Sequence, residues 1–127
     1  MPGDLKLSVP SDCGNAPKKA ILRDFHIAFV TKNYDALLEH VADDMTWTIV
    51  GDETVQGKEA FMHKLNRLIE DPITELVLDN IITHGYTAAA NGKMIGPQTT
   101  FDFCYVYRFA GASKTAKIKT ITSYILT

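Results

Sequence analysis

Acidic side chains bracket a short alternating stretch near the middle of the chain, and they are the first candidates for proton transfer. In ADDMTWTIVGD, residues 42–52, Asp43 and Asp44 come before the alternating run, and Asp52 and Glu53 follow it. A carboxylate acts as a general base when it lies within hydrogen-bond distance of the proton it removes. Asp43 and Asp44 also fit a turn ahead of a strand, and Asp52 and Glu53 fit a solvated loop, so both interpretations stay open.

Four histidines supply further acid–base candidates, because imidazole titrates near neutral pH. His26 lies at the edge of the apolar stripe of a predicted helix, and His63 lies on a later helix. His40 ends a predicted helix, where a cation favours the helix dipole. His84 precedes Gly85 in a predicted strand. If its side chain points inward, His84 is the strongest histidine candidate for acid–base work.

One predicted strand, Thr100–Phe109, combines a tyrosine with two charged residues. Tyr105 has a hydroxyl that donates a hydrogen bond to a ligand oxygen if it faces a pocket. Asp102 and Arg108 share the opposite face, because side chains alternate along a strand. If Tyr105 faces inward, the two charged residues face solvent or a partner chain; the reverse orientation would place aromatic residues at a dimer interface. The weak catalytic candidates are therefore Tyr105, His84 and Asp102.

The sequence contains no motif for a metal or an organic cofactor. Cys13 and Cys104 are its two cysteines, and neither has a histidine at metal-ligand spacing. The N-terminus lacks the basic and then apolar order of a signal peptide, so we expect a cytoplasmic location and two free thiols. We therefore predict that the protein uses neither a metal nor a cofactor.

Three helices are predicted in the first half of the chain, over residues 17–31, 34–41 and 58–69. Pro17 fits the first turn of the first helix. An apolar stripe at helical spacing runs along that helix and consists of Ile21, Leu22, Phe25, Ala28 and Phe29. A strand over residues 45–50 is expected between the second and third helices, after a turn at residues 42–44. Its alternation places Trp47 and Ile49 on one face.

The second half of the chain is predicted to be β-structure. Residues 76–90 form one long strand with a possible break at Gly85, and Asn91-Gly92 is typical of a turn. Thr100–Phe109 and residues 117–126 complete a meander of three long strands. Helices early and strands late favour an α+β fold with a mixed, mostly antiparallel sheet. We expect this curved sheet to wrap around the three helices as a half-open cone.

Composition limits the organisation and the partners of the protein. The chain has 127 residues and is 46% hydrophobic, which predicts one globular domain at residues 17–127 after a flexible N-terminal arm at residues 1–16. A net charge of −2 provides no basic surface, which argues against a nucleic-acid partner. No apolar run reaches the roughly 20 residues that span a bilayer, so no membrane partner is expected.

Several segments together resemble a known superfamily. They are HIAFVTKNYDALLEHVADDMTW, then Gly57 ahead of a helix, then FCYVYRF and KIKTITSYI. These residues are similar to the nuclear transport factor 2-like superfamily, and closest to its SnoaL-like and ketosteroid-isomerase-like branch. The resemblance covers about residues 17–127. It implies a cone-shaped α+β roll of the cystatin-like type, a pocket open at one end, and a homodimer formed sheet to sheet.

The resemblance also implies positions for catalytic groups, and most of them are changed here. Relatives similar to ketosteroid isomerase place a carboxylate base at the position of Ile49, and a tyrosine at that of Phe25. Their protonated acid on the penultimate strand matches Tyr105. Epoxide-hydrolase-like relatives place an acid at the position of Ser123. Of these four residues, only Tyr105 and Ser123 keep a polar group, so the usual isomerase base is missing.

These observations lead to one preferred function and two alternatives. We expect an apolar pocket that binds a small lipophilic, oxygen-bearing molecule, because ligand pockets are mostly apolar with a few polar groups. The expected lining consists of Phe25, Phe29, Trp47, Ile49, Phe61, Leu65, Phe103, Tyr105, Ile121 and Ser123. The first alternative is a divergent isomerase, cyclase or hydrolase that uses Tyr105 with His84 or Asp102. The second is a non-catalytic scaffold that dimerises through its sheet.

Overall fold

The computed structural model describes residues 5–9, 17–113 and 115–126. The described residues form seven strands and three helices. In chain order these elements are β1 (Lys6–Ser8), α1 (Pro17–Thr31), α2 (Tyr34–Glu39), β2 (Val41–Ile49), β3 (Thr54–Gln56), α3 (Lys58–Leu68), β4 (Glu75–His84), β5 (Thr87–Ile95), β6 (Thr100–Phe109) and β7 (Ile118–Leu126). None of the helices in these ranges has both the length and the apolar character needed to cross a bilayer.

All strands of the described residues join in one sheet, in the order β1-β4-β5-β6-β7-β2-β3. The pairs β1–β4 and β2–β7 are parallel, and the other four pairs are antiparallel. The sheet curls around the helices without closing into a barrel. The predicted α+β class and the mixed, mostly antiparallel, cone-shaped sheet are therefore confirmed.

Helix α1 packs its apolar stripe into the concave face of the sheet. It covers the predicted residues 17–31, and its buried side chains recur at the helical period, including Leu22, Phe25, His26, Phe29 and Val30. The helix ends before Lys32, which has a positive φ of 55°. Asn33 then caps α2, because its side chain accepts a hydrogen bond from the backbone N–H of Ala36 at 3.4 Å.

Strand β6 shows most clearly how the sheet divides into an inner and an outer face. Its inward side chains are all buried, and they are Phe101, Phe103, Tyr105, Tyr107 and Phe109. Between them, Asp102, Val106 and Arg108 are exposed. Burying one large apolar side chain stabilises a protein by about 1.5–3 kcal/mol, so the inner face of β6 is a main contributor to the core.

Strand β2 begins earlier than the alternating run predicts. The predicted turn at residues 42–44 is wrong, because these residues lie inside a strand from Val41 to Ile49. The register between β2 and β7 shifts between Val41 and Thr46, which is typical of a bulge. The bulge leaves Asp43 and Asp44 exposed, and they form ion pairs with lysines. A bulge places polar residues within a strand, and simple alternation does not reveal it.

The predicted long strand over residues 76–90 is two strands, β4 and β5. Gly85 lies in the turn between them with a φ of 60°, so the predicted break is confirmed. The predicted turn at Asn91-Gly92 is wrong, because both residues lie inside β5. A Cβ atom at Gly92 would lie 1.8 Å from the backbone oxygen of Val77. Glycine is needed there for a close approach of two backbones, and not for a turn.

Two short strands were not predicted. β3 follows the predicted loop after β2, at residues with no predicted element, and pairs with β2. β1 lies in the predicted N-terminal arm and pairs in parallel with β4, where the backbone N–H of Lys6 donates to Thr74 O at 2.9 Å. Residues 1–4 and 10–16, including Cys13, lie outside the described residues, so the flexibility of the arm and its boundary at residue 16 stay predictions.

Candidate functional site

A cluster of buried side chains fills the concave side of the sheet. All ten residues of the predicted pocket lining belong to it, and each is 5% exposed or less. Nine of the ten are part of the hydrophobic core, and Ser123 is buried with them. Two residues outside the predicted set, His26 and Tyr107, lie among the same side chains. We call these twelve residues the interior cluster. Whether they line a ligand pocket stays a prediction.

Half of the ring contacts in the interior cluster are edge to face. Trp47 and Phe61 have ring centroids 5.0 Å apart at 75°, and Phe29 and Tyr105 have centroids 5.7 Å apart at 76°. Such geometries place the positive edge of one ring against the negative face of another. Because the rings contact one another, we expect a ligand to move some of them as it binds.

His26 is the polar residue that α1 contributes to the interior cluster. Its ring stacks on Phe103 with centroids 5.2 Å apart, and it lies 5.2 Å from the ring of Tyr105. Burial lowers the pKa of His26 to about 3, so the imidazole is neutral near pH 7. A buried imidazole without a counter-charge loses its proton, because desolvation penalises the charged form.

The hydroxyl of Tyr107 and Nε2 of His26 form a buried hydrogen bond. Among the described residues, Nδ1 of His26 has no hydrogen-bond partner. If Tyr107 donates, Nε2 accepts and Nδ1 carries the one N–H of the neutral imidazole, which is then the single unsatisfied group. If Nε2 donates instead, both the Tyr107 hydrogen and the Nδ1 lone pair are unsatisfied. Since buried polar groups are nearly always bonded, Tyr107 is the donor and His26 presents a free Nδ1–H.

The hydroxyl of Tyr105 is the second unsatisfied group. Its side chain is fully buried, and the oxygen has no hydrogen-bond partner among the described residues. Burial raises the pKa of Tyr105, and the neighbouring Ser123 hydroxyl opposes that rise in part. The two hydroxyls are close but do not have the geometry of a hydrogen bond. Tyr105 therefore presents a neutral O–H inside the interior cluster.

The Ser123 hydroxyl already accepts a hydrogen bond from Trp47. The indole Nε1–H donates to the Ser123 hydroxyl at 2.8 Å, and both side chains are fully buried. Ser123 lies opposite Tyr105 across β6 and β7, and Ile49 lies beside Ser123 on β2. This bond ties the indole of Trp47 to β7 at the residue that lies opposite Tyr105.

The structure does not bring Tyr105 together with the other two catalytic candidates. His84 is exposed at the end of β4, where the chain turns into β5. Asp102 is exposed on the outer face of β6 and forms an ion pair with Lys93. Neither side chain shares the inner face with Tyr105.

The positions implied by the resemblance do lie inside the cone. Ile49 and Phe25 are buried, 5% and 0% exposed, and carry no group that moves a proton. Among the described residues, the interior cluster contains no carboxylate at all. The polar groups inside the cone are those of His26, Tyr105, Tyr107, Ser123 and Trp47.

The remaining acid and histidine candidates lie away from the interior cluster. Asp52 and Glu53, in the turn after β2, bind the ammonium of Lys64 at 2.7 and 2.8 Å. That contact fastens α3 to the turn and lowers the pKa of Glu53. His63 is exposed on α3, and His40 ends α2 half-buried.

The next question is whether the described residues include a cluster of possible metal ligands. No group of three or more His, Cys, Asp or Glu side chains in those ranges lies close enough together to hold a metal ion. Cys104 is a free thiol and half-buried on β6.

Sequence reasoning recognised Tyr105 and missed the importance of His26 and Tyr107. The alternation of β6 already places Tyr107 on the same face as Tyr105. His26 follows Leu22 by four residues, and residues four apart share one face of a helix. The signal for both residues was present, but an isolated polar residue beside an apolar stripe does not reveal its partner.

A sequence comparison and a structure comparison both find relatives. Residues 22–117 match the family described as SnoaL-like domain. Among curated proteins, no sequence matches this chain. An NTF2-like (nuclear transport factor 2-like) protein of unknown function from Cytophaga hutchinsonii is 23% identical, with 84% of this chain and 97% of that chain covered and a TM-score of 0.64.

Two other solved structures extend this similarity. A provisionally assigned SnoaL-like polyketide cyclase from Shewanella denitrificans is 13% identical, with 85% of this chain and 89% of that chain covered and a TM-score of 0.69. A provisionally assigned ketosteroid isomerase from Kribbella flavida is 12% identical, with 91% and 81% covered and a TM-score of 0.71. At these identities the structures establish a shared fold and not a shared reaction. The family match shows that the chain belongs to the SnoaL-like domain family, and the solved structures show that it has the NTF2-like fold.

Proposed function

We propose that the interior cluster binds a small lipophilic molecule that bears an oxygen atom. One observation carries this proposal: the Tyr105 hydroxyl and Nδ1 of His26 are fully buried and unsatisfied among the described residues. An unsatisfied buried donor costs about 1–3 kcal/mol. Two such donors on neighbouring rings favour a ligand oxygen that accepts from one or both of them.

The same arrangement favours binding over proton transfer. A general base for chemistry next to a carbonyl needs a pKa near the working pH, and burial lowers the pKa of His26 to about 3. The enzyme alternative required Tyr105 to work with His84 or Asp102, and those two residues are exposed elsewhere. A divergent enzyme stays the alternative to a binding protein.

Fluorescence of Trp47 offers a direct test, because it is the only tryptophan of the chain and lies inside the cluster. Steroid ketones, terpenoid ketones and quinones are the probes. We expect at least one class to change the emission and to raise the melting temperature. Binding to the native state at a hundredfold excess over Kd adds about 2.7 kcal/mol of stability.

A pair of tyrosine variants locates the binding site. Tyr105→Phe removes one donor and is expected to weaken binding about tenfold, the equivalent of about 1.4 kcal/mol for one hydrogen bond. It leaves no unsatisfied hydroxyl, so the folded variant is expected to be at least as stable as the wild type. The matched control is Tyr86→Phe, since Tyr86 is 45% exposed in the turn between β4 and β5. Equal binding by wild type and Tyr105→Phe, or no binding of any probe, contradicts the proposal.

We also propose that the protein forms a homodimer through the outer face of the sheet. Four apolar side chains are exposed on β4, β6 and β7, and they are Ile82 (63%), Val106 (42%), Tyr124 (48%) and Leu126 (71%). Charges of both signs lie among them, including the ion pair of Lys93 with Asp102. A surface that is apolar and balanced in charge suits a second copy of itself, because a two-fold contact places the same patch against itself.

A further inference from the structure

The polar groups of the interior cluster share one property: each is uncharged near neutral pH. They are a tryptophan N–H, a serine hydroxyl, two tyrosine hydroxyls and a neutral imidazole. Of the described residues that are buried, four are polar or charged, namely Lys18, His26, Lys64 and Ser123. Only His26 and Ser123 belong to the cluster, so the two lysines are the remaining sources of positive charge.

Both buried lysines direct their ammonium groups to other partners. Lys18 donates to the backbone oxygens of Ala112 and Ser113 at 2.9 and 2.8 Å. Lys64 binds Asp52 at 2.7 Å and Glu53 at 2.8 Å. Neither ammonium is available to neutralise an anion bound among the aromatic rings.

The two tyrosines show what this environment does to a phenol. Burial raises the pKa of both Tyr105 and Tyr107. The environment therefore holds phenols in the neutral form even where a hydrogen bond is available. Burying an unpaired charge is strongly unfavourable, and two neutral donors do not replace the hydration shell of an anion.

We propose that the interior cluster accepts its ligand only in the uncharged form, so that an acidic ligand takes up one proton from solvent as it binds. This inference rests on the ligand site proposed above and adds its charge selectivity. For a phenolate, a buffer acid in the solvent gives up its proton and becomes its conjugate base, and that proton forms the O–H bond of the bound phenol. Ketones, esters and other neutral acceptors bind without a proton.

Proton uptake links the affinity for an acid to pH. Above the pKa of the free ligand, the affinity falls about tenfold for each pH unit, because the binding form becomes rarer by that factor. A neutral ligand of the same shape shows no such dependence. Comparing affinity against pH for the acidic and the neutral ligand therefore separates charge selection from any effect of pH on the protein itself.

Two nitroaromatic probes provide the test by equilibrium dialysis and absorbance. 4-Nitrophenol ionises near neutral pH, and its phenolate is coloured while the phenol is not. 4-Nitroanisole has the same ring and no proton to lose. At a pH equal to the pKa of 4-nitrophenol, we expect added protein to bleach the phenolate band. Binding of 4-nitroanisole is expected to stay constant from mildly acidic to mildly alkaline pH.

The variants and outcomes distinguish this inference from the ligand site on which it rests. Tyr105→Phe is expected to weaken binding of both probes, while Tyr86→Phe leaves both unchanged, which places the probes in the interior cluster. If 4-nitroanisole binds but the phenolate band is unchanged or grows, charge selection is overturned and the ligand site stands. If neither probe binds, or if Tyr105→Phe retains both fully, the ligand site is overturned and the inference with it.

Discussion

The burial of His26 beside Tyr107 in an apolar core makes the stability of the protein depend on pH. Burial lowers the pKa of His26 to about 3 in the folded state, from 6.5 for a free side chain. Between these two values the unfolded chain binds a proton that the folded protein does not bind. The free energy of unfolding therefore falls as the pH falls through this window, and the effect vanishes above about pH 6.5.

The expected slope is about 1.4 kcal/mol for each pH unit between about pH 6 and pH 3. Urea unfolding at about pH 7 and about pH 5 measures it, and we expect a loss of about 2 kcal/mol that His26→Gln removes. His63→Gln is the control, because His63 is exposed. The half-buried His40, whose pKa burial also lowers, contributes equally to all three proteins. The same pH dependence in His26→Gln would contradict the assignment.

At the scale of residues, the sequence predicts which side chains belong to the interior cluster better than it predicts the hydrogen bonds between them. Ten of its residues follow from alternation and from the resemblance, and each is buried. The hydrogen bond from Tyr107 to His26 joins residues 81 apart in the chain, and no local pattern encodes it. The same holds for the bond from Trp47 to Ser123, which spans 76 residues.

Among the elements, the β4–β5 pair depends on one glycine. The register of the two strands shifts between Leu78 and Asn80, and Gly92 lies opposite Leu78. At that point the two backbones approach so closely that any side chain at Gly92 would meet the oxygen of Val77. A bulge of this kind bends the strand, which helps the sheet to curl around α1.

We expect Gly92→Ala to lower the free energy of unfolding by about 3 kcal/mol or more, because its Cβ would overlap backbone atoms that cannot move aside alone. Gly111→Ala is the matched control, since a Cβ atom there meets no atom within 4 Å. Its effect is expected to stay within about 0.5 kcal/mol. Denaturant unfolding of both variants measures the difference, and equal stability would mean that the bulge is not rigid.

Long elements were predictable, and short or irregular ones were not. Helix α1 and strand β6 have enough residues for their periods of 3.6 and 2 to stand out. β1 and β3 have three residues each, too few for any period, and they exist because neighbouring strands offer hydrogen-bonding edges. In the bulge of β2, Asp43 and Asp44 form ion pairs with lysines of α3 and β7, and local sequence does not show these partners.

At the scale of the whole molecule, the outer face of the sheet is the surface best suited to bind a partner. Ile82, Val106, Tyr124 and Leu126 project from strands β4, β6 and β7. Contiguous exposed apolar residues on a small protein mark an interaction surface more often than scattered ones do. Strands β4, β6 and β7 are hydrogen-bonded to neighbouring strands on both sides, so the outer face has its curvature before any partner binds.

We expect the protein to run at twice its chain mass of 14.1 kDa in light scattering or sedimentation. Val106→Glu places a charge at the middle of the outer face and is expected to weaken the dimer at least about tenfold. Val50→Glu is the control, because Val50 is 50% exposed in the turn after β2 and lies off that face. A wild type at the chain mass, or dissociation caused equally by both variants, would contradict the homodimer.

The side-by-side placement of β2 and β7 has a consequence for the order of folding. β7 is the last strand described, and it lies between β6 and β2, so the sheet stays in two parts until β7 inserts. Contacts between residues so far apart in sequence slow folding, because a long loop must close before they form. We expect a nascent chain that still lacks β7 to expose the rings of Trp47 and Tyr105 to water. Water is then excluded from the interior in one late step, when β7 inserts and Ser123 accepts the hydrogen bond from the Trp47 indole.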